Sequence, residues 1–191
     1  KDGVGDAPSA NTTGIAFLNN FIYIVGNEQQ QSGGINPTLW KINPQTGAVV
    51  STINLNGQGI NIQDNIGGMT DNGSNLLVYS QNFDFIVEIN PETSQKVGGE
   101  KYPQTQVFGA NAFAYHGGRD VFVAANNNTL VTLASNLSFE SQLSSDTLRV
   151  NNSNMSGSVL GMTFDQDILF IAEQVTSTGS RIVQGALVDT V

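Results

Sequence analysis

Cysteine is absent from the 191 residues, which removes disulfides, thiolate chemistry and cysteine-based zinc sites together. A single histidine, His116, excludes any histidine-based metal site, and a Ser-His-Asp relay would have to run through it. Charge is scarce as well. Asp, Glu, Lys and Arg make up 12% of the chain, against about 25% in an average domain. Seven basic residues stand against sixteen acidic ones, a net charge of −9, and the basic residues are scattered singly. No cationic stripe is available for a phosphate backbone, so neither nucleic acid nor an anionic membrane surface is an expected partner. No apolar run of about 18 residues is present to insert into a bilayer. Long helices draw on Lys and Glu, and their shortage turns the composition towards strands and turns.

What is present is 39% hydrophobic residues, including ten Phe, four Tyr and one Trp, together with 21 Gly. That is enough apolar material for one real core, and one all-β domain of this length is ordinary. Uncharged Asn, Gln, Ser and Thr take the place of charge on the surface. The chain opens at Lys1 without an apolar leader, as expected of a processed or excised piece.

A pattern recurs four times: a small residue, an apolar pair, a turn, then a strongly apolar strand. The copies begin at Gly14-Ile15-Ala16-Phe17, Gly68-Met69-Thr70, Ala112-Phe113-Ala114-Tyr115 and Gly161-Met162-Thr163-Phe164. Their second strands are Phe21–Val25, Leu76–Tyr79, Val121–Ala124 and Ile168–Ala172, apolar on both faces and therefore expected between neighbouring sheets. An alternating strand, a polar turn and a further strand follow in the first three copies. Leu39–Ile42 leads through Asn43-Pro44-Gln45-Thr46-Gly47 to Ala48–Ile53, and Ile86–Ile89 leads through Asn90-Pro91-Glu92-Thr93-Ser94 to Gln95–Val97. In the third copy Leu130–Leu133 runs through Asn136 to Leu137–Phe139. Four strands per repeat, every 45–50 residues or so, describe a propeller blade. The expectation is an all-β β-propeller of about four blades, each of up to four antiparallel strands. Residues 1-12 are read as a linker or donated strand segment. The blades are placed at 13-60, 61-107, 108-156 and 157-191, with the fourth lacking its outer strand.

The hairpin Ile42–Val49 and its copy at Ile89–Val97 resemble those of quinoprotein-like and YVTN-type β-propeller repeat proteins. The resemblance implies the fold alone. The cofactor clamp of the quinone-binding members has no counterpart in this chain, and no cofactor is expected.

Candidate chemistry is thin. His116 sits in the turn His116-Gly117-Gly118-Arg119, where a turn role outweighs that of a general base. Paired carboxylates would suit glycoside hydrolysis, but Asp64, Asp71, Asp84, Glu88, Asp165 and Asp167 fall in expected turns or on polar strand faces. Asp2 and Asp6, in Asp2-Gly3-Val4-Gly5-Asp6, are weak calcium candidates, because calcium wants six to eight oxygens and this stretch offers two carboxylates. Asn-x-Ser/Thr sequons begin at Asn11, Asn72, Asn127, Asn136, Asn151 and Asn154 and mark possible N-glycosylation. The polar loop 26–34 is read as a tolerated insertion or a sugar-binding rim, and Trp40 as core. The functional expectation is a non-enzymatic extracellular or cell-surface module, structural or adhesive. Its partners would be copies of itself or adjacent domains of a longer chain. The competing reading is a carbohydrate- or ligand-binding propeller that acts through its loop rim.

Overall fold

The computed structural model describes residues 11–29, 35–57, 60, 62, 65–81, 83–102, 112–126, 129–134, 139–143, 148–150, 158–176 and 179–187. Sixteen strands and no helix are found among them. They form four antiparallel sheets of four strands each.

Blade 1 holds β1 (Asn11–Leu18), β2 (Phe21–Gln29), β3 (Ile35–Ile42) and β4 (Val49–Asn54) in sequential order. Blade 2 repeats this with β5 (Ile66–Asp71), β6 (Leu76–Ser80), β7 (Phe85–Asn90) and a two-residue β8 (Gln95–Lys96). Blade 3 has β9 (Ala112–His116), β10 (Val121–Asn126), β11 (Thr129–Ala134) and β12 (Phe139–Leu143). In blade 4, β14 (Ser158–Asp165), β15 (Ile168–Thr176) and β16 (Gly179–Leu187) run outward in order, and β13 (Leu148–Val150) pairs outside β16. The sequence reading left that outer position empty. It is filled by residues from upstream, because Leu148-Arg149-Val150 precedes the inner strand and so escapes the order that the other three blades follow.

Turn chemistry sets the registers. Asn19 and Asn20 both take positive φ (52° and 64°) and join β1 to β2 in the two-residue turn whose twist suits a hairpin. The two Asn-Pro turns are built alike. Asn43 Oδ1 accepts the N–H groups of Gln45 and Thr46, and Asn90 Oδ1 accepts those of Glu92 and Thr93. Each turn ends on a left-handed residue, Gly47 at φ 70° and Ser94 at φ 57°.

The sheets pack face to face in chain order. Blade 1 meets blade 2 through Leu18, Tyr23, Val25 and Leu39 against Met69, Val78, Val87 and Ile89. Blade 2 meets blade 3 through Leu77, Tyr79 and Ile86 against Phe113, Phe122 and Val131. Blade 3 meets blade 4 through Ala112, Ala114 and Val123 against Met162, Leu169 and Ile171. Trp40 is buried in this framework, as expected for a core residue. The fourth joint, between blades 4 and 1, is not made in the same way: Ile15, Phe17, Leu160 and Ile182 are exposed along it. The second strands are therefore sandwiched in blades 2 and 3, but in blades 1 and 4 one face of that strand is covered less completely.

Candidate functional site

Three features of the surface bear on function: a polar hollow at one rim, an apolar cavity on the axis and an aromatic patch on blade 2.

The rim hollow, of about 480 Å³, lies where the inner hairpins of blades 2, 3 and 4 converge and includes Asp71, Tyr115, His116, Thr163, Gln166 and Asp167. Its histidine is occupied. His116 is buried, its ring lies edge-on to Phe164 at 4.8 Å, and Nδ1 accepts the Arg119 backbone N–H at 3.1 Å. That bond leaves Nε2 to carry the ring proton towards Asp167 Oδ1, 3.0 Å away. Arg119 Nε stands 3.8 Å from the same oxygen. The arrangement ties the turn of blade 3 to the turn of blade 4. Asp71 accepts the Gly73 N–H at 3.0 Å, and burial pushes its carboxyl up against that hydrogen bond.

The other carboxylates are spread through the fold. Asp84 Oδ1 accepts the Tyr79 hydroxyl at 2.5 Å, and Asp120 accepts that of Tyr115 at 2.6 Å. Both are Tyr-x4-Asp clamps across a hairpin, with the aspartate at positive φ (53° and 54°). The hydrogen bond to Asp120, aided by burial, pushes the Tyr115 hydroxyl up to about 12. Glu88, placed from the sequence on a polar strand face, is buried instead. It accepts from Lys101 Nζ at 2.8 Å, Asn75 Nδ2 at 2.9 Å and Asn72 Nδ2 at 3.0 Å. Burial alone would raise its carboxyl, but these bonds and the Lys101 charge outweigh it and hold the group below the ordinary carboxylate value. Among the described residues no three His, Cys, Asp or Glu side chains come together as a metal site. Asp64 and the calcium candidates Asp2 and Asp6 lie outside the described residues.

Of the sequons, Asn72 sits in the β5–β6 turn with its side chain engaged at both ends, since Oδ1 also accepts the Ser74 and Asn75 N–H groups. Asn11 opens β1. Asn127, Asn136, Asn151 and Asn154 lie outside the described residues, as does most of the polar loop after Gln29.

The axial cavity, of about 260 Å³, is lined by all four inner strands through Gly14, Ile15, Met69, Phe113, Gly161 and Met162. The aromatic patch was not legible from the sequence. Phe85 is buried, with Phe83 stacked on it at 6.4 Å and Tyr102 edge-on at 5.9 Å. Both outer rings are 62% exposed.

Four radial sheets with apolar joints define the class: the chain is an all-β β-propeller. No protein-family model matches the sequence, and no curated relative matches it. Solved structures do. The chain is similar to the WD40 repeats of RRP9, at 9% identity over 93% of this chain and 52% of that one, with a TM-score of 0.55. It is similar to Myxococcus xanthus glutaminyl cyclase, at 11% identity over 96% and 94% of the two chains, TM-score 0.60. It also resembles a chain of a nidogen/laminin complex, at 14% identity over 92% and 65%, TM-score 0.58. The chain thus spans about half the length of the RRP9 structure that it matches. These likenesses establish the fold, in agreement with the resemblance to propeller repeat proteins seen in the sequence.

Proposed function

We propose that the chain is a non-enzymatic structural or adhesive module of the extracellular space or cell surface, a unit of a larger surface protein or fibre that works by contact. The observation that carries this reading is the aromatic patch. Phe83 and Tyr102, each 62% exposed, both pack against the buried Phe85, and contiguous exposed aromatic surface of this kind is where partners dock. The rim supports the absence of catalysis: His116 and Asp167 are committed to joining two blades, and Glu88 is locked by three donors. Neighbouring copies or adjacent domains are the partners that this reading names.

The rim hollow favours a second reading, a carbohydrate- or small-ligand-binding propeller, because three hairpins present hydroxyl, amide and carboxylate groups to one space. The labelled chain and its Phe83→Ala/Tyr102→Ala variant, run over a glycan array and over immobilised chain, test both readings. Self-capture lost in the variant supports the first. Glycan binding that survives in the variant and disappears on Asp167→Ala replaces it with the second.

A further inference from the structure

We propose that His116 is a pH-sensitive latch at the rim: its neutral ring holds the β9–β10 turn folded against itself, and a proton on Nδ1 releases that turn and reshapes the hollow it borders.

The latch rests on a bond that the chain uses elsewhere in a form that does not titrate. In three turns an asparagine Oδ1 accepts the backbone N–H three positions on: Asn43 from Thr46 at 3.3 Å, Asn72 from Asn75 at 2.8 Å and Asn90 from Thr93 at 3.0 Å. In the β9–β10 turn the same bond ends on a ring nitrogen, with the Arg119 N–H donating to His116 Nδ1 at 3.1 Å. An amide oxygen accepts at any pH. A ring nitrogen accepts only while the imidazole is neutral, and imidazole is the side chain whose ordinary charge change falls between about pH 5 and 8.

Protonation takes that acceptor away. Nε2 already points its hydrogen at Asp167 Oδ1, 3.0 Å away, so the incoming proton goes to Nδ1 and meets the Arg119 N–H, donor against donor. The ring has little freedom to turn aside. It is 3% exposed, it lies edge-on to Phe164 at 4.8 Å, and it is tied to Asp167. Gly118 lies close over it as well, since a Cβ there would stand 3.3 Å from the ring carbon Cε1 and 3.6 Å from Nδ1. The turn is the part that gives way. Its middle, Gly117-Gly118, is exposed and has the backbone freedom of glycine. The Arg119 N–H then falls back on the His116 carbonyl, a longer bond of 3.3 Å.

The charges around the ring favour the same outcome. Asp167, on the β14–β15 turn, favours the imidazolium as its ion-pair partner, so the ring keeps its tie to blade 4 while it lets go of its own turn. Arg119 Nε stands 3.8 Å from the same oxygen. A second cation on that carboxylate pushes the guanidinium away, and with it the turn that carries it. Asp71 faces the ring across the hollow from blade 2, exposed Asp165 lies two residues before Asp167, and Asp120 holds the Tyr115 hydroxyl at 2.6 Å. His116, Gly117, Gly118 and Asp167 all line the hollow, so movement of the turn alters its mouth whatever the hollow binds.

The test is an NMR titration of the isotope-labelled chain from about pH 7.5 to about pH 5, the range in which imidazole changes charge. His116 is the single histidine, so its ring signals identify themselves. At the upper pH the expected signature is a scalar coupling across the N–H···N bond from Arg119 to Nδ1, with the ring proton on Nε2. As the ring titrates, that coupling should vanish and Gly117 and Gly118 should gain mobility. The Arg119 amide should lose roughly tenfold in protection from hydrogen exchange, the worth of one hydrogen bond. His116→Asn, which restores the asparagine form of the bond, should hold the turn closed over the whole range. Three results overturn the proposal. One is a ring that titrates while the coupling and the Arg119 protection persist. Another is a ring that stays neutral in the folded protein down to the lowest pH. The third is release of the turn along the same course in His116→Asn, which would put the trigger on a carboxylate. The first two are read on the unaltered chain and stand whether or not the variant folds.

Discussion

At the residue scale, the fold spends its few special side chains on turns. Gly47 and Ser94 occupy the same left-handed position in equivalent hairpins, and only glycine holds it without strain. Replacing Gly47 by Ala is therefore expected to cost about 1 kcal/mol, seen as a lower urea midpoint at unchanged slope. Glu88 makes a prediction about pH. Its folded carboxyl lies below the usual value of 4.5, so its contribution is complete above that value and disappears as pH falls through the lower, folded one. Glu88→Gln should lower stability at neutral pH by about 1–3 kcal/mol and flatten the acid limb of the stability–pH curve. An unchanged acid limb in denaturant titrations between pH 6 and 3 would mean that the group carries no linkage.

At the scale of elements, the turns and inner strands were legible because they repeat, and period-2 apolar runs between Gly- and Asn-rich turns leave little choice. Burial was harder to read. Glu88 lies on the polar side of an alternating strand, and only the arrival of Lys101, Asn75 and Asn72 from elsewhere explains why it is inside. Leu148–Val150 escaped for a different reason: three residues carry no periodicity, and their pairing with β16 is decided by topology. The rim was half legible. The turn at His116 was foreseen, but its bond to Asp167, 51 positions away, was not. Links of this kind between blades can be tested one at a time. Thr70→Val keeps the shape and removes the acceptor of the Tyr115 N–H, for an expected loss of about 1–3 kcal/mol. His116→Ala removes a buried ring together with its contact to Phe164 and should cost about 2–4 kcal/mol. Both are measured by thermal or denaturant unfolding.

At the scale of the whole molecule, the apolar joints carry the fold, and none of the described joints runs through a metal-ligand cluster. Chelation with EDTA is therefore expected to leave the melting curve in place, and circular dichroism is expected to show a strand spectrum without a helical component. A drop in melting temperature on chelation would point to a cation bound outside the described residues. The fourfold repeat foretold the blades but not the state of the ring, because equivalent sequence gives every blade the same two faces and is silent on whether the last pair has met.

The placement of β13 has a mechanical consequence. Because β13 lies outside it, β16 is an interior strand, hydrogen-bonded to β15 on one side and to β13 on the other, whereas among the described residues β1 is bonded along one side only, to β2. A force applied across the domain thus meets two ladders at one end and a single ladder at the other. Under tension the first blade should peel while the fourth still holds, so the molecule would yield from a defined side and extend in steps.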